Sequence, residues 1–199
     1  MLFRSPDQSF VMVAVASQVN PTQLENIYKA ARLVPNLKVL PAVPLHETGR
    51  LFREAAVFVN TSRMEGFPNT YLQAAASGTP IVSWAVNPDG MLDRYELGFC
   101  ANEDWSRFEQ SVRLLCRDNA LRARMGGNGL EYVRQRHDPD VIARTYLKLF
   151  TDLRSGGIPT TFRDFSNGPP ERAAWDQPTE SDILSPAKTG HCNEVSAKQ

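Results

Sequence analysis

The chain has 199 residues, 42% of them apolar, with Lys+Arg and Asp+Glu balanced at 22 each. That balance excludes a global field that would draw nucleic acid or an anionic membrane surface. The longest apolar runs, around Phe10–Ala16 and Ala55–Val59, fall well short of the roughly 20 residues a transmembrane helix needs, so no transmembrane segment is expected.

The elements follow in chain order. Phe10–Val15 is a short, continuously apolar run, as a strand buried on both faces requires. Asn20 then precedes Pro21 as an N-cap, which starts a helix to about Leu33. Leu37–Leu40 is a strand, His46–Glu54 a helix that turns Leu51 and Phe52 inward, and Ala56–Asn60 a strand. Pro68–Ser77 is a helix with Pro68 at its first position, closed by Gly78 as a left-handed C′ residue. Ile81–Trp84 is a strand, Pro88–Tyr95 a short helix and Gly98–Ala101 a short strand. Helices follow at about Trp105–Cys116, Asn119–Arg136 and Asp138–Leu153, the last with Asp138 as N-cap. Alternating strands and helices define an α/β protein with a doubly wound, mostly parallel, Rossmann-like sheet. Residues 1–154 form that domain. Residues 155–199 are rich in Pro, Gly, Ser, Thr and charge without periodicity. They are expected to be a disordered tail, with Phe162, Phe165 and Trp175 as docking points.

The chemistry concentrates in residues 65–80, EGFPNTYLQAAASGTP. A turn feeds a helix N-terminus, where unpaired N–H groups and the macrodipole favour an anion. The N–H groups of Asn69, Thr70 and Tyr71 would then be available to a phosphate. Glu65 stands just outside. A carboxylate beside an anion site is suited to accept hydrogen bonds from hydroxyls carried by that anion, which describes a nucleotide sugar. Gly66 allows positive φ and close approach of a ligand. Asn69, Thr70 and Gln73 share one helix face, with Leu72 and Ala76 on another, packed inward. Arg63 can pair with a phosphate or simply sit on the surface. The same spacing also occurs in α/β proteins with no ligand at this place, and spacing by itself leaves both readings open.

Other features carry less. Asp89-Gly90 reads as a turn. Gly126-Gly127-Asn128-Gly129 resembles a phosphate loop, but helical text flanks it and no strand precedes it, so a helix break or C-cap is expected. Cys100, Cys116 and Cys192, like His46, His137 and His191, are scattered without metal-ligand spacing. Reduced thiols, no protein-held metal and a cytoplasmic protein, or one peripheral to a membrane, are expected.

The run LFREAAVFVNTSRMEGFPNTYLQAAASGTPIVSW resembles the C-terminal, donor-binding half of retaining GT-B glycosyltransferases of family 4, the "glycosyl transferases group 1" type. The likeness extends to FVMVAVAS, LKVLPAVPLHE, NPDGMLDRYELGFCA and the helical text from Leu114 to Phe150. It implies metal-independent transfer of a sugar, with retention, from a UDP-, GDP- or ADP-linked donor and without a cofactor. By the same likeness Glu65 contacts the sugar hydroxyls as the catalytic carboxylate. Gly66, Phe67, Asn69 and Thr70 approach sugar and diphosphate, and the loop around Val43 and Pro44 holds the base. Gln73 stands where the family has a second Glu for the ribose. A neutral acceptor there is expected to weaken donor binding by ~1 kcal/mol without abolishing it.

The resemblance also implies that this chain opens at about the second strand of such a domain. The acceptor half, and the first strand–helix unit whose cations neutralise the leaving diphosphate, are then expected to be missing. Little turnover is expected from the chain alone, unless a partner chain supplies the acceptor domain. A non-catalytic nucleotide-sugar binding module and a gene fragment are the alternatives. A sheet without its first strand would present an unpaired edge, which favours association.

Overall fold

A computed structural model describes residues 8–14 and 20–155. The tail from Gly156 on, Cys192 and His191 lie outside the described residues. The elements are β1 (Phe10–Val13), α1 (Pro21–Arg32), β2 (Leu37–Leu40), α2 (Leu45–Glu54), β3 (Phe58–Asn60) and α3 (Asn69–Ala76). After them come β4 (Ile81–Ser83), a 3-10 turn at Pro88–Gly90, α4 (Met91–Arg94), β5 (Gly98–Cys100), α5 (Trp105–Arg117), α6 (Asn119–Arg136) and α7 (Pro139–Arg154). The expected α/β architecture with parallel strands is present.

Capping side chains set the helix starts. Asn20 Oδ1 accepts from the Thr22 N–H at 2.8 Å. Asp104, Asp118 and Asp138 accept from the N–H groups of Arg107, Leu121 and Asp140 at 3.0, 2.8 and 2.9 Å. Each satisfies a donor that the first helical turn would leave unpaired. Gly78 closes α3 at φ 70°, the left-handed conformation that glycine adopts without a Cβ penalty.

The strands form two parallel sheets, β2-β1 and β3-β4-β5, rather than one hydrogen-bonded ladder. The core lies on both faces of the three-stranded sheet. On one face Ile81 and Cys100 join Phe52, Tyr71, Ala74, Val86, Leu92, Leu97 and Tyr132. On the other, Val82 and Phe99 join Phe108, Val112, Leu115 and Met125. Neighbouring residues of one strand thus feed opposite cores, the period-2 signature of a strand covered on both sides. Gly98 is required where β5 meets β4, because a Cβ there would lie 1.8 Å from the Ile81 carbonyl oxygen.

Three local expectations are corrected. Gly126–Gly129 lies inside an unbroken α6; it is neither a break nor a cap. A Cβ at Gly126 would lie 2.2 Å from the Gly78 oxygen, and one at Gly129 would lie 3.1 Å from Ala75 Cα. These glycines let α6 lie against α3. The inward face of α3 is Tyr71, Ala74 and Ala75; Leu72 is half-buried and Ala76 is exposed. Pro68 is the N-cap of α3, not its first helical residue, because its ψ of 118° is extended.

Candidate functional site

β3 ends at Asn60 and the chain turns through residues 61–68 into α3. Asn60 is buried and divides its side chain between two partners. Its Oδ1 accepts from the Ser62 N–H at 2.7 Å, an Asx turn that begins the loop. Its Nδ2 donates to Glu65 Oε1 at 3.0 Å. The exposed Glu65 carboxylate is thereby held by one oxygen with the other left to solvent. Sequence reasoning missed Asn60; the signal was an Asx-turn residue at a strand end five positions before the carboxylate.

Below the turn, the Tyr71 hydroxyl donates to the Val86 carbonyl at 2.9 Å. Ser83 Oγ accepts from the Val86 N–H at 3.0 Å. Burial pushes the Tyr71 phenol up to about 12, with the neighbouring Glu65 charge a lesser contribution in the same direction. Tyr71 is therefore a neutral donor that ties α3 to the chain after β4.

Phe67 leans on His137, with ring centroids 5.9 Å apart, and His137 on Tyr132 at 5.1 Å. His137 Nε2 lies 3.1 Å from the Tyr132 hydroxyl. Burial first, and the Arg136 charge second, lower the His137 pKa and favour the neutral imidazole. The end of α6 thus supports the turn from behind, a contact between segments far apart in sequence.

The remaining predicted residues fall as follows. Asn69 and Thr70 open α3, exposed. The Tyr71 N–H, expected to be available, is donated to the Pro68 carbonyl at 3.0 Å, an i→i−3 bond that tightens the first turn. The N–H groups of Asn69 and Thr70 remain without a backbone acceptor among the described residues. Gly66 does not use a positive φ. A Cβ there would meet nothing within 4 Å, so the space beside its backbone is open. Gln73 is half-buried and Arg63 exposed.

Val43 and Pro44 line an open pocket of about 290 Å³ beyond the carboxyl end of β2, with Leu40, Pro41, Ala42, Glu47, Arg50 and Leu51. Its lining runs from Leu40 to Leu51 and includes no residue of the Glu65 turn. Glu47 and Arg50, the charged residues of this pocket, were not anticipated. Among the described residues no group of three His, Cys, Asp or Glu could hold a metal ion. None of the described helices is long and apolar enough to cross a membrane.

Parallel strands joined by helices, with the candidate residues beyond the strands' carboxyl ends, place the protein in the Rossmann-like α/β class. The sequence model of the family "Glycosyl transferases group 1" matches residues 3–118, more than half of the chain, and the chain belongs to that family. The match includes β1 to α5 and thus Glu65, Gln73 and the Val43–Pro44 pocket.

Proposed function

We propose that this chain binds a nucleotide-diphospho-sugar and presents it as the donor in a retaining, metal-independent glycosyl transfer. The observation that carries the reading is Asn60 holding Glu65 at 3.0 Å beside the N-terminus of α3. The Glu65 carboxylate accepts hydrogen bonds from donor-sugar hydroxyls. The N–H groups of Asn69 and Thr70, with the helix dipole, take the diphosphate, whose charge grows as the sugar departs. Arg63 is exposed beside the turn and can pair with the same phosphates. Gly66 leaves room for the sugar, and Phe67, braced by His137, closes the turn.

Gln73 follows on the same helix face, its amide oxygen an acceptor for a ribose hydroxyl. The Val43–Pro44 pocket, at the small end of the roughly 300–1,000 Å³ of ligand pockets, suits one planar base rather than a whole nucleotide sugar. Transfer also needs an acceptor surface and charge neutralisation at the leaving group. The described residues build one α/β lobe, which favours a donor-binding role for this chain, with little turnover by itself. Other segments or a partner chain would supply the remainder. The alternative is a binding module that never turns over its ligand.

Calorimetric titration with UDP, GDP and ADP tests the reading. One of the three is expected to bind the wild type. The matching nucleotide sugar is expected to bind more weakly to Glu65→Ala by about 1.5–3 kcal/mol, the range for hydrogen bonds to a charged group. A folded protein that binds none of the three would sink the proposal. Brisk release of free nucleotide from nucleotide sugar would instead show that the chain turns over unaided.

A further inference from the structure

We propose that Trp84 and Trp105 form an aromatic platform for a pyranose ring of an oligosaccharide, the acceptor in the transfer proposed above. That the sugar is the acceptor rests on the donor-site reading; that the platform binds a sugar does not. Trp84 follows β4 directly and Trp105 opens α5. Their ring centroids are 5.3 Å apart, with the planes tilted by 60°. Phe108, fully buried, supports both rings. It stacks on Trp105 at 5.4 Å and meets Trp84 edge-on at 5.7 Å. The core thus fixes the two indoles, yet Trp105 stays 48% exposed and Trp84 half-buried. Neither indole N–H has a hydrogen-bond partner among the described residues, and that of Trp84 is not sealed from solvent. An indole that only fills a core buries its faces and pairs its N–H.

The loop before Trp105 adds polar groups at the edge of the platform. The Ala101 and Glu103 N–H groups donate to the Ser83 and Trp84 carbonyls at 2.8 and 3.0 Å. Those bonds hold Asn102 and Glu103 in the left-handed region, at φ 52° and 64°, where side chains other than glycine's are strained. Both side chains are exposed, and neither has a hydrogen bond or ion pair among the described residues. Asp104, by contrast, is engaged as the cap of α5.

The occupant follows from this chemistry. A pyranose has a face of C–H groups, which lies on an indole, and a rim of hydroxyls, which needs donors and acceptors beside it. The indole N–H groups donate, the Asn102 amide does both, and the Glu103 carboxylate accepts. A phosphorylated ligand would meet the charges of Glu103 and Asp104. An apolar partner would desolvate the Glu103 carboxylate and give it no donor in return. The platform also lies one strand from the donor turn. The Trp84 N–H donates to the Asn60 carbonyl at 2.8 Å, and Asn60 is the residue that holds Glu65. Asn60 is paired with Ser83 across the parallel β3 and β4. Glu65 and the two indoles therefore share the carboxyl end of one sheet, where ligands of this fold class lie.

The indole N–H resonances of the isotope-labelled 199-residue chain test this. Cellotetraose, mannotetraose and chitotetraose are the probes. Sorbitol, which has the hydroxyls without a ring face, is the control. One tetrasaccharide is expected to shift the Trp84 and Trp105 signals saturably, with Trp175 unmoved and sorbitol without effect. Trp105→Ala is expected to weaken that sugar about ten-fold or more. Glu103→Gln removes no packing and is read as well, in case the first variant does not fold; it is expected to weaken the sugar about three-fold or more. The platform is overturned if no tetrasaccharide moves either signal, if sorbitol moves them as far, or if both variants bind as the wild type does. UDP, GDP or ADP, whichever binds, is expected to leave the sugar in place, as donor and acceptor must be held together. Displacement of the sugar would overturn the acceptor role. The sugar titration needs no nucleotide, so its failure and that of the donor-site reading are told apart.

Discussion

Asn60 touches Glu65 and the start of the loop at once, so a change there separates orientation from charge. Asn60→Ala removes both hydrogen bonds. It is expected to lower stability by roughly 1–2 kcal/mol and to weaken nucleotide-sugar binding several-fold with Glu65 still present. Asn60→Asp restores the acceptor for Ser62 but sets a second carboxylate against Glu65. Urea titration should therefore show partial rescue of stability, while calorimetry shows none of binding. Tyr71 gives a prediction in pH. Its folded pKa, about 12, lies above the ordinary 10, so the fold favours the neutral phenol. That contribution is whole below pH 10 and is lost as pH rises through about 12, by up to roughly 3 kcal/mol. Tyr132 is shifted the same way by burial. Stability measured from pH 9 to 12 should accordingly fall less steeply in Tyr71→Phe than in wild type, without becoming flat. At neutral pH the same variant leaves the Val86 carbonyl without its donor, at a cost of about 1–2 kcal/mol.

The helices show how far local text reaches. Asn20, Asp104, Asp118 and Asp138 cap where they stand in sequence, because a cap and its N–H partner are two or three residues apart. Gly126–Gly129 reads locally as a break, since glycine is a poor helix former. The reason for it lies some fifty residues away, where a Cβ at Gly126 would collide with the Gly78 carbonyl just past α3 and one at Gly129 would crowd Ala75 of α3. Gly126→Ala is thus expected to destabilise by about 1–3 kcal/mol or more, as α6 is forced off the Gly78 turn that closes α3. Gly127→Ala meets open space on the exposed face and is expected to stabilise by roughly 0.5–1 kcal/mol. Thermal denaturation of the pair decides between the two meanings of glycine in one helix; equal shifts would contradict the packing account. The one-residue error at Pro68 has the same origin. Proline suits both the N-cap and the first helical position, and only the extended ψ of 118° separates them. The Tyr71 N–H is bonded because the first turn tightens onto the Pro68 carbonyl, while those of Asn69 and Thr70 have no backbone acceptor among the described residues.

At the scale of the whole molecule, both core clusters of the described residues draw on residues between Phe10 and Val133. Removal of residues 156–199 is expected to leave the melting temperature within about 2 °C of the full chain. A larger fall in calorimetry would show that Phe162, Phe165 or Trp175 docks on the domain. The motif at residues 65–80, the strand and helix sequence and the family were legible in the chain alone. Periodicity, caps and turn residues act over a few positions, and each element can be read where it stands. Three things were decided only by tertiary structure: the division of five strands into two sheets, the hold of Asn60 on Glu65, and the support of Phe67 by His137. Strand ladders and side-chain contacts are made by residues that meet only after the chain has folded, and an edge counts as unpaired only once every possible neighbour has been placed.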